Sequence, residues 1–184
     1  MNRSILWRGV SQPGHEACRL YQLVTEWCLE GTAVFLSDDC RSCRLSYLVR
    51  CDLGWNTLAA TVSGWLGSDK VNIELTVDTL HRWRLNGLEK PAVSGCIDVD
   101  LNFSPSTNLL PIRRLGLAIG QQMEVKAAWL RFPGFELEPL SQIYARLDEF
   151  TYRYSSNRGK FVRDITVNEV GLVTDYPGLW QAEQ

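Results

Sequence analysis

Apolar and polar residues alternate with a period of two along short runs that recur from Ala17 almost to the end of the chain. Such alternation belongs to extended strands with one buried face, and it leaves a chain of 184 residues few architectures. The runs are Ala17–Glu26, Leu29–Ser37, Arg44–Asp52, Thr57–Trp65, Val71–Val77, His81–Leu85, Cys96–Phe103, Met123–Phe132, Ile143–Tyr154, Phe161–Thr166 and Gly171–Thr174. Glu30-Gly31, Gly67-Ser68-Asp69, Asn86-Gly87, Ser156-Asn157-Arg158-Gly159 and Val170-Gly171 read as turns between them. Many strands at short spacing with hairpin signals predict a mainly β protein, an all-β sandwich or a barrel-like sheet. Ile143–Tyr154 is longer than an ordinary strand and loses its alternation near Asp148-Glu149, as a bulged, curved strand would.

One stretch departs from this rhythm. Ile97, Val99, Leu101 and Phe103 alternate with Asp98, Asp100 and Asn102, and the pattern then breaks at Ser104-Pro105. Thr107 or Asn108 can cap a short helix, Asn108–Leu115, that carries Leu109, Leu110 and Ile112 and ends in Arg113 and Arg114. A weaker helical turn is expected near Leu140–Ile143, after Pro139. Without repeats, linkers or low-complexity tracts, residues 1–184 are expected to form a single domain.

The charge balance excludes one class of partner. With 19 basic against 21 acidic residues and no strongly basic segment, a surface that tracks nucleic-acid phosphates is not expected. Ile5, Leu6 and Trp7 are too short an apolar run for a secretory signal, and no stretch approaches a membrane span. These features predict a soluble cytoplasmic protein with its six cysteines reduced and mostly buried.

Residues with the chemistry for a site are few. Cys40 and Cys43 form a CxxC motif followed by Cys51, but no second CxxC exists and only His15 and His81 could complete a zinc set. The motif opens a strand run rather than a helix, so a β-turn with incidental thiols is the expected reading and no metal or cofactor is predicted. No nucleophile elbow, phosphate loop or dinucleotide fingerprint is present. Asp98 and Asp100 share one strand face, which usually means a solvated outer face; paired carboxylates, or a lock onto Arg113 and Arg114, are the alternatives. Trp27, Trp55, Trp65, Trp83 and Trp129 fall mostly in strand runs and could together line an apolar groove.

Longer motifs resemble a known family. They are Gly14-His15-Glu16-Ala17-Cys18-Arg19-Leu20, Cys51-Asp52-Leu53-Gly54-Trp55, the run from Asp98 to Pro105 with Thr107-Asn108 and Leu110–Leu115, and the closing Gly171–Trp180. Over nearly the whole chain the sequence is similar to the bacterial glycolipid-binding family, formerly a domain of unknown function. The resemblance implies a single highly curved antiparallel sheet, a half-barrel around one or two short helices, like the carriers that ferry lipoproteins across the periplasm. It implies binding of a glycolipid or fatty-acyl conjugate and transfers no catalytic residues.

The expected function is therefore non-catalytic binding of an amphipathic ligand. Trp55, Trp65, Trp83 and Trp129 would supply apolar walls, and Asp98, Asn108, Arg113 and Arg114 would meet a polar head group. Burying a ten-carbon chain at about 0.8 kcal/mol per methylene gives roughly 8 kcal/mol before ordering costs, hence micromolar affinity or weaker. Two other classes compete: a small hydrolase or isomerase acting on a lipid or sugar conjugate through Asp98 or Asp100, and an interaction module that pairs through a sheet edge.

Overall fold

In the computed structural model, which describes residues 3–183, most of the alternating runs become strands of one sheet. The strands are β1 (Ser4–Gly9), β2 (Gly14–Gln22), β3 (Glu26–Leu36), β4 (Ser42–Asp52), β5 (Thr57–Leu66), β6 (Asp69–Val77), β7 (Trp83–Leu85) and β8 (Leu88–Glu89). They continue as β9 (Asp98–Leu101), β10 (Gln122–Arg131), β11 (Glu136–Arg146), β12 (Thr151–Ser156), β13 (Phe161–Val167), β14 (Val173–Tyr176) and β15 (Trp180–Ala182). The only α-helix among the described residues is α1 (Leu109–Leu115).

The sheet is two antiparallel meanders joined in the middle. From β1 the chain steps outward, each strand beside the last, to β8 at one edge. It then crosses to β9 at the opposite edge and steps back until β15 lies against β1, with Trp7 opposite Ala182 and Gly9 opposite Trp180. The one parallel pair is β9 with β10, Asp98 opposite Ala127 and Leu101 opposite Leu130. Parallel neighbours cannot be joined by a tight turn, and α1 lies in the crossover that the pairing demands. The sheet curls without closing its ladder: Thr57, at the start of β5, donates its backbone N–H to the Ile97 carbonyl and accepts the Val99 N–H on its hydroxyl. The result is the expected half-barrel.

α1 lies between two cores. Leu109 and Leu110 join a larger cluster that includes Trp7, Leu29, Leu45, Leu75 and Trp83; Ile112 joins a smaller one with Tyr144, Tyr152, Tyr154 and Ile165. A seven-residue helix is far too short to hold itself together in water. Burial of these apolar side chains, at about 1.5–3 kcal/mol each, supplies what hydrogen bonding cannot. Gly116 ends the helix in the left-handed region (φ 52°, ψ 38°), where a Cβ would be unfavourable.

Several expectations are corrected. The Leu140–Ile143 segment is extended within β11, because Leu140 pairs with Ala127 and Ile143 with Glu124. Ile143–Tyr154 is two strands, not one: Asp148 accepts the backbone N–H groups of Phe150 and Thr151 and turns the chain between β11 and β12. Glu30-Gly31 lies inside β3, where Gly31 leaves room for the Tyr47 hydroxyl, which would come within 2.4 Å of an added Cβ. Neither Thr107 nor Asn108 caps α1: Thr107 Oγ1 accepts the Leu101 N–H, and Asn108 already has helical torsions.

Candidate functional site

Arg113 and Arg114 follow one another on a helix, so their side chains leave α1 about 100° apart and meet different partners. Arg114 turns to β9 and makes a bidentate pair with Asp98, Nε to Oδ1 at 3.0 Å and Nη2 to Oδ2 at 2.5 Å. Asp98 is 1% exposed, so the expected solvated outer face is in fact interior. Burial pushes its carboxyl upward and the guanidinium pulls against that. Breaking such a pair from one side costs about 3–5 kcal/mol, since the survivor is a buried charge without a partner.

Arg113 turns the other way and lies 5.3 Å from the ring centroid of Trp55. Trp55 is stacked on Trp27, centroids 4.8 Å apart and planes 13° from parallel, and Arg3 covers the far face of that pair at 5.3 Å from Trp27. Two indoles between two guanidiniums give each cation an aromatic face. Trp55 holds φ +69° in a turn where Asp52 accepts the Asn56 N–H, so it belongs to a turn rather than a strand.

Beside Arg113, the carboxyl end of α1 opens into a cleft of about 490 Å³ between the helix, the β11–β12 hairpin and the turn after β13. Ile112, Val167 and Tyr152 form its apolar wall, Phe150 and Arg146 lie on the hairpin, and Glu149 and Glu169 supply carboxylates. Arg146 is fixed by three carbonyls, those of Leu117, Asp148 and Glu149, and lies 5.7 Å from the Tyr152 ring. Gly171, at φ +93°, passes close to Arg113; an added Cβ there would come within 3.3 Å of its Cδ. Rigid cations, aromatic faces and carboxylates in one concave wall are the groups that orient a polar ligand.

Of the residues expected to bind ligand, the structure brings some together and separates others. Trp55 and Arg113 are in contact, as are Asp98 and Arg114. Asn108 accepts from the Tyr144 hydroxyl at 2.9 Å. Trp83 is wholly buried and donates to the Cys96 carbonyl. Trp65 stands partly exposed on β5, and Trp129, on β10, lies beneath Arg131. Of these residues only Arg113 lines the cleft. The signal for Arg146, Glu149, Phe150 and Tyr152 was the broken alternation near Asp148-Glu149, which marks the hairpin that carries them.

Two buried acids complete the electrostatics. Asp100 accepts from Gln142 at 2.6 Å and is pushed up to about 6 by burial, with Asp98 adding to the rise. Glu16 is fully buried; its Oε1 accepts from the hydroxyls of Tyr47 and Ser104 at 2.5 Å each, and burial pushes it up to about 8. It fastens β2 and β4 to the segment that leads into α1, and nothing in the spacing of the sequence marked it. The six cysteines are free thiols, Cys40 alone exposed, and no metal-binding cluster exists among the described residues. No helix among those residues is long and apolar enough to cross a membrane.

No curated protein matches the chain. Among solved structures it is similar to a DUF1089 family protein from Pseudomonas aeruginosa, determined by crystallography. Identity is 33% over 90% of this chain and 91% of that one, with a TM-score of 0.80. The model of the family described as "Putative glycolipid-binding" matches residues 4–182, from the first residue of β1 to the last of β15, and the chain belongs to that family.

Proposed function

We propose that the protein binds an amphipathic, glycolipid-like ligand without transforming it, and that the polar head group sits in the cleft at the carboxyl end of α1. The observation that carries this reading is the cleft's wall. Arg113 and Arg146 each lie over an aromatic ring, and no carboxylate side chain forms an ion pair with either among the described residues. Arg146 is held by three carbonyls and Arg113 rests against Trp55, beside Tyr152 and Phe150, where a sugar ring can stack and hydrogen-bond at once. The family description points the same way.

The enzyme reading has less support. Both oxygens of Asp98 are occupied by Arg114, Asp100 accepts from Gln142, and neither aspartate lines the cleft. Catalysis by these two would require a group that meets substrate.

Titration with octyl β-D-maltoside below its micelle concentration, followed by tryptophan emission, tests the proposal. A ligand that engages Arg113 shifts the emission of Trp55, and Arg113→Ala weakens binding about tenfold. An Arg113→Ala protein that binds as tightly as the parent would remove the cleft from consideration.

A further inference from the structure

A second depression, of about 920 Å³, opens on the outward face of β1, β2 and β3. The strand register explains its lining. Leu6 lies opposite Ala17, and Ala17 opposite Thr32, so these three share the face away from Trp7 and Glu16. Thr174 continues this outward lining of the trough, Ile5 and Ala182 edge it from the side packed on the core, and Arg19, Glu30 and Glu183 flank it. Thr32 hydrogen-bonds Ser46 at 3.0 Å, Arg19 pairs with Glu30 at 2.6 Å, and Glu183 lies 3.9 Å from Arg8, so each charge along the trough has a partner beside it. Leu6 remains 45% exposed on a face where a strand ordinarily presents polar side chains.

The trough and the cleft share one residue, Asn168. Its Oδ1 accepts the N–H groups of Val170 and Leu172 and so fixes the turn after β13. Its Nδ2 has no protein acceptor among the described residues. The β1–β15 ladder runs from Gly9 to Trp7 and is prolonged by the Glu183 N–H to the Leu6 carbonyl, while the Trp7 indole N–H bonds the Val173 carbonyl. Asn168 borders both depressions, at the edge they have in common.

We infer that the two depressions form one bipartite site, with an uncharged sugar head group in the cleft, its hydrocarbon chain along the trough, and Asn168 at the junction. This rests on the reading that the cleft holds a head group. The cleft's own charges choose the class: Arg113 and Arg146 are matched by Glu149 and Glu169, so donors and acceptors are balanced. An anionic head group would meet two carboxylates, whereas a polyol uses both kinds of group.

The test is the dependence of affinity on chain length, measured calorimetrically with hexyl, octyl and decyl β-D-maltosides below their micelle concentrations. A fully buried methylene is worth about fourfold in affinity, and one covered on a single side in an open trough about twofold. The parent should therefore show a slope of about twofold per methylene. Leu6→Lys and Ala17→Glu, both on the outward face and so not expected to disturb the core, should each flatten it. Arg113→Ala should lower all three affinities by a common factor and leave the slope intact.

An unchanged slope in both trough variants, with Arg113→Ala still weakening binding, would overturn the bipartite site and spare the cleft. Indifference to Arg113→Ala, or no binding of any maltoside, would overturn the cleft reading and this one with it. Tighter binding of decyl sulfate than of decyl maltoside would overturn the assignment of an uncharged head group.

Discussion

At Asp100 a single proton separates two stabilities. The carboxyl is pushed up to about 6 in the folded protein, against an ordinary value near 4 when the chain unfolds. Below about pH 4 both states hold the proton and the group is neutral to stability. Between about pH 4 and 6 the unfolded chain releases it first, so the folded state loses ground; above 6 the full penalty, about 3 kcal/mol, is in place. Asp100→Asn, which keeps an acceptor for Gln142, should raise the urea midpoint at pH 7.5 and have little effect at pH 4. Equal effects at both pH values would show that ionisation of Asp100 is not what limits stability there. Glu16 follows the same sign over a higher window, between about 4.5 and 8, and Glu16→Gln should therefore stabilise most above pH 8.

α1 is the element on which the site depends, and its boundary is set by one glycine. Gly116→Ala forces a Cβ into the left-handed region at the mouth of the cleft and should cost about 1 kcal/mol, visible as a lower thermal midpoint. No loss of stability would mean that the helix end relaxes freely. The helix was legible in the sequence because Leu109, Leu110 and Ile112 interrupt a period of two and Arg113-Arg114 closes the run. Its cap was not legible, because Asn108 spends its side chain on Pro105 and Tyr144, partners that only the folded sheet supplies. Long strands such as β4 and β6 were found nearly to the residue. The short β1 and β15 were missed, since a few residues cannot establish a period, and β11 was misjudged because Pro139 reads as a helix start yet sits extended, opposite Ala128.

On the scale of the whole molecule, the buried acids and the surface ion pairs pull stability in opposite directions along the pH axis. Asp78, held down to about 2 by Arg82 and backbone N–H groups, and Asp164, held low by Arg153, lose their contribution as pH falls below their ordinary range. Glu16 and Asp100 lose theirs as pH rises. The protein should therefore be most stable near pH 5, and its thermal midpoint should fall steadily from pH 5 to pH 8.5. A midpoint that rises over that interval would mean that the two buried carboxyls are ionised at little cost. Which acids would be buried could not be read from residue spacing. Asp98 and Asp100 alternate like an outer face, and only the parallel pairing of β9 beneath the curl of the sheet places them inside.

The join between β1 and β15 also fixes an order in time. Trp7 and Ala182 are opposite partners in the ladder, yet they lie at far ends of the chain. On a ribosome adding roughly 5–20 residues per second, β1 waits on the order of ten seconds before its second neighbour exists. The half from β2 to β8 can form by local hairpins as it emerges, but the inner margin of β1 stays bare until β15 has been made. The seam is thus both the last place to close and the moment of greatest exposure to wrong partners, whatever the stability of the finished sheet.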